Sequence, residues 1–145
     1  VLLRASSTET IQYYINNGSG VATTSTFADE WVFITATYDG TTAKIYANGS
    51  LEGSESISTT ISVTSDALIG ISNTAVGNHF NGNLANVAIW NRALSSDEIN
   101  SVMWKDHQAL TSAESNGLQA WYSLDDISGT SVPDSSGNGN TGTAN

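Results

Sequence analysis

Residues 31–49, WVFITATYDGTTAKIYANG, decide the fold. From Trp31 to Tyr38 β-branched and aromatic residues follow one another almost unbroken, and Asp39-Gly40 then supplies hairpin chemistry. Lys44 to Ala47 resumes the extended pattern before Asn48-Gly49 turns the chain a second time. Asp-Gly and Asn-Gly between apolar runs predict tight hairpins, because both positions tolerate the positive φ such turns need. Extended, residues 31–38 put Trp31 and Phe33 on one side and Val32, Ile34 and Tyr38 on the other. A strand apolar on both faces is expected to be covered on both, inside a two-layer sandwich.

Outward from this hairpin the same chemistry continues. Val1 to Ala5 and Ile11 to Ile15 are short strand candidates closed by Asn16-Asn17-Gly18, with Tyr13 and Tyr14 on opposite faces, so that at most one is core. Ser54 to Val63 alternates Ser or Thr with Ile57, Ile61 and Val63, as a strand with one wet face does. Ala67 to Ile71, Phe80 to Leu84 and Ala85 to Trp90 are further strand candidates around a polar loop at 72–79. One helix is expected near 96–105: Ser95 and Glu98 have capping-box spacing, and Leu94, Ile99, Val102 and Met103 share a helical face. Residues 106–116 read as a linker, Gly117 to Leu124 as a strand, and Val132 to Asn145 as turn chemistry. The expectation is an all-β fold, a two-layer antiparallel sandwich with one short helix.

The chain has 145 residues, enough for one domain and too few for two ordinary ones. Arg4, Lys44, Arg92 and Lys105 oppose fourteen carboxylates for a net charge of −10, which disfavours nucleic acid and anionic membranes as partners. Charged residues make up 12% of the chain, about half the usual share, and Ser, Thr, Asn and Gly take their place, as on many extracellular β-proteins. Without cysteine there is no disulfide framework, thiolate metal site or thiol nucleophile. No apolar run approaches the roughly 20 residues of a membrane span. A chain starting at Val1 rather than Met is expected to be a processed form or a piece of a longer protein.

The string WVFITATYDGTTAKIYANGS, then ALIG, then FNGNLANVAIWNRALSSDEI resembles the second half of laminin G-like jelly rolls of the concanavalin A-like superfamily. The resemblance spans about Glu30 to Val102 in consistent order and implies a jelly-roll body over residues 1–105. GLQAWYSLDDISGTSVPDSSGNGNTGT, at 117–143, resembles the opening of the same kind of domain, out of phase. That order implies that residues 117–145 close either the same sandwich or a neighbour's, since a sandwich lacking a strand leaves costly unpaired backbone.

Asp134, Ser136, Asn138 and Asn140 place oxygen-bearing side chains on alternate residues around Gly137 and Gly139. Calcium takes about six to eight oxygens on a sharply turning loop, and this spacing resembles the start of one, although position twelve is Asn145 rather than Glu. The resemblance implies calcium as the candidate cofactor; a self-knitted Gly-Asn turn is the alternative. The acidic pair that the family commonly has after its FxG strand is here Ala85 and Asn86. Glycan binding in the superfamily uses loop aromatics flanked by Asn, Asp and Gly, which implies Tyr14, Asn78, His79 and Trp104 as ligand candidates.

Retaining glycoside hydrolysis needs two carboxyls about 5 Å apart, and no strand carries them at alternate positions; Glu52 and Glu55 read as lying in or beside a turn. With two histidines, His79 and His107, a Ser/His/Asp triad or a multi-histidine zinc site is also poorly supported. Asn17-Gly18-Ser19 and Asn48-Gly49-Ser50 fit the N-glycosylation pattern, a weak signal in so Asn- and Ser-rich a chain. Expected first is a non-catalytic recognition module on an extracellular, secreted, cell-surface or virion protein, binding a glycan or a surface protein. The alternatives are an assembly subunit of a filament, fibre or capsid decoration, polymerising with copies of itself by strand donation, and the accessory domain of a larger glycoside-active enzyme.

Overall fold

The computed structural model describes residues 2–5, 9–16, 19–61, 66–71 and 79–144. The chain is all-β, built of antiparallel sheets with short helices, and divides into two compact units, Val1–Asn81 and Gly82–Asn145.

The first unit holds two three-stranded sheets. One runs β1 (Leu2–Ala5), β2 (Ile11–Asn16), β3 (Ser19–Ala22); the other runs β4 (Ile34–Tyr38), β5 (Thr42–Ala47), β6 (Ser50–Ser56). They share one core, with Tyr13 and Ile15 from the first sheet against Ala43 and Ile45 from the second, closed by Ile57. Burying Ile15 and Ile45 stabilises this unit by roughly 2 kcal/mol each. Tyr13 is buried and Tyr14 half-buried on the opposite face, as strand alternation requires.

Both hairpins form where Asp39-Gly40 and Asn48-Gly49 place them. The Asp39 carboxylate accepts from the N–H groups of Thr41 (2.9 Å) and Thr42 (2.8 Å), while Gly40 takes φ +100°. Asn48 and Gly49, at φ +49° and +81°, make the two-residue turn that pairs Ala47 with Ser50.

Several strand boundaries differ from the sequence reading. Strand β4 begins at Ile34 because β5 ends at Ala47; Phe33 is held instead by Asn48, which accepts from its N–H and donates to its carbonyl. Trp31 lies outside the ladder and is 69% exposed, so the expected cover over both faces does not reach it. The strand expected over 54–63 is β6 at Ser50–Ser56; it stops where Ser56 meets Thr42, the first residue of β5, and residues 62–65 lie outside the described residues. Glu52 and Glu55 therefore sit in a strand and not in a turn. Residues 67–71 contribute an isolated bridge, Ile71 to His79, and 80–84 form no strand.

The second unit pairs β7 (Val87–Trp90) with β8 (Leu118–Tyr122), and β9 (Ser131–Val132) with β10 (Gly142–Thr143). Strand β7 starts two residues after Ala85 because Asn86 takes φ +50°, outside extended geometry. The stretch 117–124 thus finds its partner within the same chain. Helix α1 (Ser96–Val102) carries the expected capping box and buries Ile99 and Val102, with Leu94 ahead of it. Residues 106–116, expected as linker, hold a 3-10 turn at His107–Ala109 and α2 (Ser112–Ser115), capped by Thr111 and Glu114.

Arg92 ties the two helices together. Its guanidinium binds the Glu98 carboxylate through two bonds (2.6 and 2.9 Å) and donates to the carbonyls of Ala113 and Asn116. Arg92 first, and the Ser95 N–H after it, hold the Glu98 carboxyl at about 2. Glu114 is likewise held at about 2, chiefly by Lys105 at 2.6 Å.

Candidate functional site

Strands β3 and β6 are both edge strands, and they lie side by side without pairing. What sets their spacing is a bulge. Ile45 pairs with Gly53 and Tyr46 with Leu51, so Glu52 is the extra residue and its side chain is turned out of the ladder. The Glu52 carboxylate accepts from the N–H groups of Thr24 (3.2 Å) and Ser25 (2.9 Å) and from both of their hydroxyls. The Ser25 N–H first, then the Thr24 hydroxyl, lower its pKa. Gly53 makes the close approach possible: a Cβ there would stand 2.5 Å from the Ala22 carbonyl oxygen and 2.6 Å from Val21 Cγ2.

Away from this contact the two edges part and enclose an open cleft of about 460 Å³, lined by Ser19 and Gly20 on one side and Glu55, Ser56, Ile57, Ser58 and Thr59 on the other. That volume lies within the usual range for small-molecule sites, roughly 300–1,000 Å³. Glu55 pairs with Ala43 and therefore rises on the core-facing side of β6, toward the cleft. The wall at 57–59 is fixed by Tyr38, whose hydroxyl donates to the Thr59 carbonyl (2.6 Å) and accepts from the Thr59 N–H (3.1 Å). Behind Gly20, on the face of that sheet opposite the core, lies the Tyr14 ring, where a Cβ on Gly20 would meet its Cδ1 at 2.7 Å, and its hydroxyl donates to Gln12.

Of the ligand candidates named from sequence, Tyr14 lies against Gly20 on the face of its sheet opposite the core residues Tyr13 and Ile15, and does not line this cleft. His79 is exposed in the bridge to Ile71 and does not line it. Trp104 belongs to the second unit, where it follows the end of α1 and is 83% exposed, off the buried helical face. Asn78 lies outside the described residues. Sequence names Glu55 only in weighing hydrolysis and does not point to Ser56 or Thr59, because the cleft depends on a bulge and on β3, both of which are long-range features.

The four candidate calcium ligands do come together, against β8. The Asp134 carboxylate accepts from the N–H groups of Trp121 (3.0 Å), Ser136 (2.9 Å) and Asn140 (2.9 Å) and from the Ser136 hydroxyl (2.9 Å). Asn138 and Asn140 direct their amide nitrogens to the carbonyls of Leu118 (2.9 Å) and Gln119 (2.8 Å). Burial raises the Asp134 pKa, but the four hydrogen bonds outweigh it and hold the carboxyl at about 2. A carboxylate offers about four lone-pair sites, all engaged here. Among the described residues no group of three or more His, Cys, Asp or Glu could hold a metal ion. As arranged, the loop does not fit a calcium cage.

No helix among the described residues is long and apolar enough to cross a membrane. No curated protein matches the chain. Among solved structures the chain is similar to one from Bacteroides ovatus described as a "putative carbohydrate binding protein", at 19% identity and a TM-score of 0.69, over 94% of this chain and 40% of that one. It is also similar to an S-layer domain-containing protein of Clostridium thermocellum, at 23% identity and a TM-score of 0.46, over 64% of this chain and 50% of that one. The chain therefore spans two-fifths to one-half of the length of these structures. A family model, Laminin_G_3, matches residues 1–100, the stretch that carries both hairpins, the bulge and the cleft, and the chain accordingly belongs to the concanavalin A-like lectin/glucanases superfamily.

Proposed function

We propose that this chain is a non-catalytic carbohydrate-binding module whose sugar contacts lie in the cleft between β3 and β6. The observation that carries this reading is the lining itself: four hydroxyl side chains and one carboxylate converging between two edge strands. Sugars are bound by such convergent polar groups. The superfamily and the carbohydrate-binding description of the B. ovatus protein support it.

A binding role fits better than hydrolysis, which needs a facing pair of carboxyls where Glu55 is the single one among the described residues lining this cleft. An extracellular or cell-surface location accords with the hydroxyl-rich, weakly charged composition. Assembly by strand donation gains no support from β8, which pairs with β7 of its own chain.

The test is titration with neutral oligosaccharides followed by amide resonances. Shifts should concentrate at Ser19, Gly20 and residues 55–59. Ser58→Ala should weaken binding about fivefold, equivalent to about 1 kcal/mol for one hydrogen bond, with its melting temperature reported alongside. Saturating millimolar sugar that leaves all these resonances in place would refute the reading.

A further inference from the structure

Resting on that reading, we infer that the cleft selects neutral glycans against anionic ones and that Glu55 is the residue that sets this preference. Its lining residues are Ser19, Gly20, Glu55, Ser56, Ile57, Ser58 and Thr59, among which Glu55 alone is ionisable. No lysine or arginine is among them to pair with a uronate, sialate or sulfate group. Arg92 and Lys105 are engaged in ion pairs in the other unit, Lys44 pairs with Ser54 on the face of β6 opposite to Glu55, and Arg4 stands on β1, separated from Ser19 and Gly20 by the whole of β2.

Register aims the carboxylate. Glu55 stands opposite Ala43 and Gly53 opposite Ile45, and Ala43 and Ile45 are core residues, so Glu55 extends from the core-facing side where β3 and β6 diverge. Two carboxylate oxygens accept from two neighbouring sugar hydroxyls at once, the pairing a neutral glycan offers. A ligand carboxylate or sulfate at the same place brings like charge within a few ångströms and donates nothing in return. The net charge of −10 adds a repulsion at long range that salt screens, whereas the Glu55 contact persists at high salt.

The experiment compares matched neutral and acidic probes, linear gluco- and galacto-oligosaccharides against oligogalacturonides of equal length, by calorimetry at low and at physiological salt. Wild type should bind the neutral series about tenfold tighter at physiological salt, and Glu55→Gln should reduce the difference to about threefold or less. Ser54→Ala, on the opposite face of β6, should leave the preference intact. If oligogalacturonides bind wild type as tightly as neutral sugars, or if Glu55→Gln keeps the full preference, this inference fails while the carbohydrate-binding reading stands. If neither series binds, the carbohydrate-binding reading itself fails.

Discussion

Asp134→Ala should cost about 3 kcal/mol of stability, seen as a fall in melting temperature on the order of 10 °C. The carboxylate accepts three backbone N–H groups and one hydroxyl, and alanine would leave the Trp121, Ser136 and Asn140 amides without that partner. Asp134→Asn should recover part of the loss, since an amide keeps one acceptor oxygen but turns a donor toward the other N–H groups. The sign with pH follows from the held value of about 2 against 3.8 for an ordinary aspartate. Because the folded state binds its proton less readily, the contribution is complete above about pH 4 and is lost as pH falls through about 2. Denaturant melts of wild type and Asp134→Ala across pH 2–6 should therefore converge toward the acid end. Calcium and chelator should leave both melts unchanged; a wild-type melt raised by calcium and restored by chelator would show that the loop rearranges into a metal site.

The second large effect is expected at Gly53. Any side chain there meets the Ala22 carbonyl oxygen and Val21 Cγ2, and the first of these is backbone, which limits relief. Gly53→Ala should destabilise by about 2 kcal/mol and Gly53→Val by about 3 kcal/mol or more, as overpacking does. The substitution also pushes β3 from β6, so sugar affinity should fall with stability even though Gly53 does not line the cleft. Ser54→Ala, at an exposed position, should change stability by less than about 0.5 kcal/mol. An unaffected Gly53→Val melt would mean that the two edges do not meet as described.

What the sequence revealed and what it hid follow from range. Asp39-Gly40, Asn48-Gly49 and the Ser95–Glu98 box are local chemistry, and the structure has each in place. Thr111 and Glu114 have the same spacing as that box, but α2 ends after one turn and shows no apolar period, so the residues read as linker. Strand ends depend on where the partner runs out: Trp31 looks strand-like yet lies outside the ladder, and Ile57 keeps a bond from its N–H to the Thr41 carbonyl just beyond the end of β6. The Tyr13–Tyr14 alternation was legible from period alone. The cleft was not, because Glu52 becomes a bulge only through its pairing with β5, and Ser19–Ala22 is four residues with a glycine inside.

The pairing of β7 with β8 bears on how this kind of protein is cut for study. The family match ends at residue 100, and the strand that completes β7 lies at Leu118–Tyr122. A recombinant boundary drawn at the end of the match would strip β7 of its neighbour and leave Val87–Trp90 as a bare, sticky rim open to self-association. Arg92 would keep Glu98 but lose the carbonyls it grips at residues 113 and 116. The end of the family match therefore falls inside a compact unit of this chain.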